Sequence, residues 1–246
     1  ENRKNYVNIR KDIDRTFGSS EIYRDRVPQH RLVRVLNSFT NKYNKKYLQG
    51  MNGIAGLILF VMPEIYGYET FSLVMNTHLS SYFYSNNNDT KNALIGGYAA
   101  TFLTQHIIKL CDNQLYNSIK TLKGELYIFP VVSGSQIICQ PFNELLKLWD
   151  FLVCFGLHLN PVITAAQIIE NKNKILSLKT DSDKYKLLNQ RNWLNGSINA
   201  KTIIDITMKC IIKLKKPENT ELWNDILKHA SNIKIAKNIK LKYQKR

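Results

Sequence analysis

The sequence predicts an all-α fold built as two lobes of one domain. Apolar residues recur at helical spacing in segment after segment, while strand-like alternation is brief and confined to Tyr127 to Val132, with no partner run of similar length. With 246 residues and 44% hydrophobic content the chain can bury a substantial core. The break between lobes is expected at Pro130 to Pro141, where Ser133, Gly134 and Ser135 interrupt the periodicity, giving lobes of about 1–132 and 133–246.

In chain order, the first helix is expected from Tyr6 to Phe17. At about 100° per residue, Tyr6, Ile9, Ile13 and Phe17 share one quadrant and form its buried stripe. Asp12 falls at the edge of that stripe and Arg15 further round toward solvent. As a bare surface i,i+3 pair these two would add only about 0.2–0.5 kcal/mol. Helices follow at Gln29 to Lys45 and Gln49 to Met62. Within the second, Gly50, Gly53 and Gly56 recur every three residues, and each interior helical glycine costs roughly 1 kcal/mol relative to alanine. Close approach of another backbone explains them, and tight packing inside the chain is the favoured form of it. Gln49 sits where the polar stretch Asn41 to Lys46 enters this helix, so its amide can reach outward.

Further helices are expected at Tyr68 to Tyr84, Lys91 to Cys111, Gln114 to Leu122, Phe142 to Phe155, Pro161 to Leu178, Lys184 to Trp193, Ala200 to Leu214 and Glu221 to Lys242. Asn86 to Asp89 is a solvated loop ending in an N-cap residue. Leu145, Leu148, Leu152 and Phe155 surround Trp149 at helical spacing, which makes Trp149 a core residue and leaves Asp150 to accept structural hydrogen bonds.

Several chemistries are excluded. The longest apolar run, Ile54 to Met62, is too short to cross a bilayer. Cys111, Cys139, Cys154 and Cys210 are widely spaced beside apolar stretches, with no C-x-x-C and no clustered histidines, so neither a metal site nor a disulfide framework is indicated and reduced thiols are expected. His78, His106 and His158 stand alone. Ser133-Gly134-Ser135 lacks the G-x-S-x-G context of a nucleophile elbow. No G-x-x-x-x-G-K-[ST] is present, so the chain does not bind GTP in a P-loop. The formal net charge is +16, and residues 209–246 hold eleven Lys or Arg against three acids, a surplus of eight that is half the total. Lys234, Lys237, Lys240, Lys242, Lys245 and Arg246 lie opposite Ile233, Ala236, Ile239 and Tyr243. The favoured account is the solvated face of an amphipathic terminal helix. A footprint for an anionic membrane surface is the alternative, and with no helix-turn-helix, RNP or zinc-finger pattern nucleic acid is not an expected partner.

Two segments carry the functional reading. Ile9 to Phe17 contains I-x-x-D-x-x-R, and Tyr47 to Asn52 reads Y-x-Q-G-M-N. The pair resembles the two catalytic signatures of the TBC-domain family, the GTPase-activating proteins for Rab-type small GTPases. The resemblance continues through Leu32 to Phe39, Glu125 to Pro130 and Glu144 to Asn160, with an L-W-D core at Leu148, Trp149 and Asp150. The reading F-G-L-H-L-N at Phe155 to Asn160 is similar to the branch that works in yeast mitotic-exit and septation checkpoints. Gly18 departs from the family's R-T-F-P and is expected to alter how the helix carrying Arg15 ends. The chain starts at Glu1, whereas family members carry helices upstream, so a fragment with an incomplete N-terminal lobe is expected.

The resemblance implies catalysis in trans. Arg15 is the arginine finger and Gln49 the glutamine that positions water. Asp12 holds Arg15, Tyr47 and Gly50 shape the approach of Gln49, and Ile9 anchors the first helix. GTP and magnesium arrive with the partner, a Rab-like small GTPase, and the chain needs no cofactor or metal of its own. A scaffold protein is a further candidate partner. The implied setting is cytoplasmic, peripheral to endomembranes or the spindle pole, in vesicle trafficking or the cell cycle. The rival reading is a non-catalytic adaptor that keeps the fold and binds a GTPase or checkpoint partner.

Overall fold

The computed structural model describes residues 3–83, 94–138, 141–189 and 198–244. All regular structure among the described residues is helical. The expected loop at Asn86 to Asp89, Cys139, Trp193, Lys245 and Arg246 lie outside them.

The first helix, α1 (Arg3–Ile13), ends four residues sooner than periodicity suggests. Its buried residues are Asn5, Ile9, Asp12 and Ile13, and Tyr6 is exposed, so the stripe is rotated by one position from the expected one. Asn5 takes the inward place because it bonds across the chain: its Nδ2 donates to the Lys45 carbonyl at 2.9 Å and its Oδ1 accepts the Tyr47 N–H at 2.9 Å. A six-residue helix, α2 (Glu21–Arg26), is capped by the Ser20 side chain and had no counterpart in the periodicity. Then come α3 (Gln29–Lys42), α4 (Met51–Val61) and α5 (Glu64–Leu73), the last extended by a π-helical turn at Val74–His78.

The long helix α6 (Ile95–Cys111) is followed by α7 (Asn113–Ile119). The Tyr127 to Val132 stretch is not a strand: it forms the short helices α8 (Gly124–Tyr127) and α9 (Phe129–Ser133), which pack on α6. The remaining helices are α10 (Phe142–Phe155), α11 (Asn160–Glu170), α12 (Lys172–Ser177), α13 (Asp181–Asn189), α14 (Ala200–Leu214), α15 (Thr220–Lys228) and α16 (Ile233–Gln244). α6 is the central post, packed against α9, α11 and α16.

The stretch after Ser133 lies inside the molecule. Ser135 and Gln136 are buried with left-handed backbones (φ 50° and 71°). Trp149 is 6% exposed, as its helical spacing predicts, and its indole N–H donates to the Ser135 carbonyl at 2.9 Å. Asp150 corrects its expectation: it is exposed and holds no structural hydrogen bond among the described residues. An aromatic cluster ties the elements near the first helix to α10, with the ring of Phe142 5.0 Å from those of Phe17 and Phe60.

The basic terminal helix is a packed element. Ala236, Ile239 and Tyr243 face the core, Lys242 bridges Glu221 and Asp225 at 2.7 and 2.9 Å, and Lys240 stacks over Tyr98 at 4.6 Å. Lys240 and Lys242 are thus engaged within the fold, while Lys234 lies on the exposed face of an amphipathic helix.

A buried polar chain joins distant parts of the sequence. His229 Nδ1–H donates to the Ile226 carbonyl at 2.8 Å, which leaves Nε2 to accept the Tyr82 hydroxyl proton at 2.9 Å. Asn160 Nδ2 reaches Tyr82 Oη and the Val132 carbonyl, and its Oδ1 accepts from Gln136 at 2.7 Å. Burial, with a smaller push from His158, lowers the His229 pKa to about 4. An imidazole depressed when folded takes up protons more readily once unfolded, so this contribution is full above pH 6.5 and is lost as pH falls toward 4. The loss should reach roughly 3 kcal/mol by pH 4. Denaturant unfolding from pH 7 to 4.5 should be steeper in pH for the parent than for His229→Gln, whose side chain does not titrate.

Candidate functional site

Asp12 is buried in the last turn of α1, and Arg15 follows in the turn that closes it rather than on the helix itself. The helix is ended by local bonds: the Thr16 N–H donates to the Ile13 carbonyl at 3.0 Å, and the Thr16 hydroxyl to the Asp12 carbonyl at 2.7 Å. Phe17 then adopts φ 49° and reverses the chain, carrying its ring into the aromatic cluster. Gly18 has no left-handed backbone, so the departure from R-T-F-P is not what stops the helix. Its carbonyl instead accepts the Arg24 guanidinium. This turn leaves the Arg15 side chain 57% exposed while Asp12 stays 8% exposed beneath it, with Nη2 2.5 Å from Asp12 Oδ1.

Gln49 also stands in a turn, immediately before α4, and is exposed between buried Tyr47 and Gly50. Its amide has no hydrogen-bond partner among the described residues. Gly50 is left-handed (φ 105°, ψ −28°) and heads α4. A Cβ there would meet only ordinary contacts with Phe83 and Gly134, so the backbone conformation, not space, calls for glycine. Gly53 and Gly56 differ in cause. A Cβ on Gly53 would lie 2.6 Å from Ile137 Cδ1, and one on Gly56 2.5 Å from Tyr23 Oη. Both glycines accommodate neighbours within the chain, as the favoured expectation had it, but the neighbours are side chains rather than another backbone.

The two turns are fastened to each other by side chains. The Tyr47 hydroxyl donates to Asp12 Oδ2 at 2.8 Å and lies 3.0 Å from Asn52 Oδ1. Asn52 Oδ1 accepts the Gly50 N–H at 3.0 Å, and its Nδ2 donates to the Thr16 hydroxyl at 2.8 Å. Burial, then the hydrogen bond to Asp12 and its charge, push the Tyr47 phenol well above its ordinary pKa range, so it remains the donor. Asp12 accordingly spans both motifs, with one oxygen on Arg15 and the other on Tyr47. The ion pair itself is half in water and worth at most about 1 kcal/mol; its consequence is orientation. Ile9, fully buried, fixes the helix from which this arrangement hangs.

Asn52, Thr16 and Asn5 were not singled out from the sequence. Asn52 had a signal, being the one strongly polar side chain in the apolar run Met51 to Met62. Buried at 7% exposure, such a residue needs partners. Asn52→Ala should leave the Gly50 N–H without its acceptor and the Thr16 hydroxyl without its donor. It should cost about 2–4 kcal/mol, read as a Tm lower by roughly 5–10 °C. A variant melting with the parent would show that the two turns hold their register without it.

The cleft beside the Arg15 turn, lined by Asp14, Thr16, Gly18 and Arg24 among others, measures about 110 Å³. That is below the roughly 300–1,000 Å³ of sites that enclose a small molecule. No group of three or more metal-ligating side chains occurs among the described residues. Arg15 and Gln49 are thus polar groups offered to solvent from two joined turns.

Comparison with known proteins bears on the family. The family model described as the Rab-GTPase-TBC domain matches residues 1–176. The chain is 34% identical over 173 residues to a putative mitotic check point protein BUB2 of Dictyostelium discoideum, covering 70% of the chain and 45% of that protein. It is 26% identical over 225 residues to cell division control protein 16 of Schizosaccharomyces pombe, covering 90% of the chain and 69% of the relative. It is also 26% identical over 193 residues to the mitotic check point protein BUB2 of Saccharomyces cerevisiae, at 72% and 60% coverage. The chain therefore spans about half the length of the first of these relatives and more of the other two. The match of the Rab-GTPase-TBC domain model across most of its length, both motifs included, makes this chain a member of that family.

Proposed function

We propose that the chain is a GTPase-activating domain that completes the active site of a Rab-like small GTPase in trans. The observation that supports this most is the coupling of the Arg15 and Gln49 turns through Asp12, Tyr47, Asn52 and Thr16. On this reading the joined turns would present a guanidinium and an amide to one approaching surface. In phosphoryl transfer, charge spreads over the transferring oxygens, and a planar guanidinium meets two of them at once. A glutamine amide donates to the γ-phosphate and accepts from the attacking water, holding it in line. Arg15 leaves Asp12 to engage phosphate, while Asp12 remains held by Tyr47 and keeps the turn in place. GTP and magnesium belong to the partner. The relatives named for a mitotic check point and for cell division control suggest a setting in cell division.

The Asp12–Arg15 ion pair is also what an adaptor would keep, since there the arginine never needs to leave its carboxylate. Single-turnover GTP hydrolysis by a panel of small GTPases, with and without the full-length protein, separates the two. Acceleration of at least one GTPase is expected. A GTP-dependent complex with unchanged hydrolysis would establish the adaptor.

A further inference from the structure

α14 turns one face to the core and leaves the other uncovered. Ile203, Thr207, Cys210, Ile211 and Leu214 form its buried face, and the helix packs against α6, α10 and α11. At about 100° per residue the opposite arc carries Lys201, Asp205, Met208, Lys209 and Ile212, all exposed. Met208 and Ile212 are one turn apart on that arc and stand 40% and 65% in solvent. From residue 201 to residue 216 the chain holds five exposed lysines and one acid, a surplus of four. Lys213 donates to the Cys111 carbonyl at 3.0 Å and Lys215 lies over the Trp223 ring at 5.6 Å, contacts with neutral groups that leave both charges uncancelled. Lys201, Lys209 and Lys216 make no ion pair among the described residues. On α16, by contrast, Lys242 is spent on Glu221 and Asp225.

We propose that this face of α14 docks the protein on an anionic phospholipid membrane. Met208 and Ile212 enter the headgroup region, and the lysines around them meet lipid phosphates and carboxylates. Apolar side chains flanked by amines are what an interfacial helix presents, and long lysine stems lie along the apolar pair while their ammonium groups stay in water. All five cations are lysine, a compact charge on a flexible stem that suits a diffuse field of headgroups. The alternatives fit less well. A second copy of the chain would set one positive surplus against another, and a nucleic-acid backbone has no use for an exposed methionine and isoleucine between the amines. Each lysine held near an anionic surface changes affinity by roughly fivefold, and the attraction fades beyond a Debye length of about 8 Å at physiological salt.

The test is flotation of the full chain with vesicles of phosphatidylcholine containing about 30% phosphatidylserine, in roughly 0.15 M salt. Binding is expected there, much less at about 0.5 M salt, and none to vesicles of phosphatidylcholine alone. Lys209→Glu/Lys216→Glu should weaken it about a hundredfold or more. The same reversals at exposed Lys4 and Lys11 of α1, a helix packed on α3 and α4, should change it by less than about threefold. Met208→Ser/Ile212→Ser keeps every charge and should still cost about tenfold. All of these positions are exposed, so the variants should melt with the parent. Equal binding to neutral vesicles, an equal loss from the α1 reversals, or full binding by the serine variant would each overturn the proposal. Tighter binding to a DNA duplex at the same salt, lost in the glutamate variant and kept in the serine variant, would assign the face to nucleic acid instead.

Discussion

Arg15→Ala should slow GTP hydrolysis by the cognate GTPase about 10³–10⁵-fold relative to the parent domain. That range corresponds to ~4–7 kcal/mol of barrier. The same variant should fold and melt like the parent to within about 1 kcal/mol, because the Arg15 side chain is mostly in water and Asp12 keeps its bond from Tyr47. Affinity for the GTP-bound partner should also survive, since the charge that Arg15 neutralises exists only in the transition state. Arg15→Lys restores the charge without the bidentate fork and should recover little. Single-turnover hydrolysis, with binding measured separately on a non-hydrolysable analogue, reads both quantities. An alanine variant that activates as well as the parent would make Arg15 a structural turn residue.

Helices with a strong apolar stripe and clear ends were legible from the sequence. α10 and α14 fall at the expected boundaries, the second capped by Asn199, whose side chain accepts the Thr202 N–H at 3.0 Å. Where periodicity failed, tertiary bonds had taken over. The run from Glu221 to Lys242 was expected to be one helix but breaks between α15 and α16. There Ser81, from a distant part of the chain, donates its hydroxyl to the His229 carbonyl at 2.6 Å and its N–H to the Ala230 carbonyl at 3.1 Å. Those carbonyls would otherwise continue the helix. The run from Pro161 to Leu178 breaks at Asn171, whose side chain turns back to the Gln167 carbonyl at 3.0 Å. Six-residue α2 is too short for any period to register, although Ser20 at its start was a readable cap.

At the candidate site, residue types were more legible than their geometry. Asp12 and Arg15 were expected on one helix, at the edge of its buried stripe and further round toward solvent, yet Arg15 gains its exposure from the turn that Thr16 and Phe17 impose. Spacing alone does not reveal that turn, because Phe17 adopts a left-handed backbone that an unsupported phenylalanine avoids. Likewise Tyr47 was expected near Gln49, but its bond to Asp12 35 positions away is a tertiary fact. The coupling of the motifs through Asn52 required the fold, even though an asparagine in an apolar helix marked the position where such a link was needed.

Gln49→Ala should be nearly silent in stability and severe in catalysis. Gln49 is exposed and has no hydrogen-bond partner among the described residues, so its removal should move the folding free energy by no more than about 0.5 kcal/mol. Loss of the group that keeps water in line should slow hydrolysis about a hundredfold or more. Gln49→Glu should fare no better, since a carboxylate has no N–H to donate and repels the γ-phosphate. The origin of the catalytic glutamine is open to a direct cross: Gln49→Ala against a GTPase with its own glutamine intact, and the parent domain against a GTPase whose glutamine is replaced by alanine. If Gln49 supplies the amide in trans, the first pairing fails and the second retains most of its rate. The reverse outcome would leave Arg15 as the sole catalytic contribution of this chain. In Arg15→Ala/Gln49→Ala the rate loss should fall short of the product of the two single losses, because both groups serve one transition state from one coupled support.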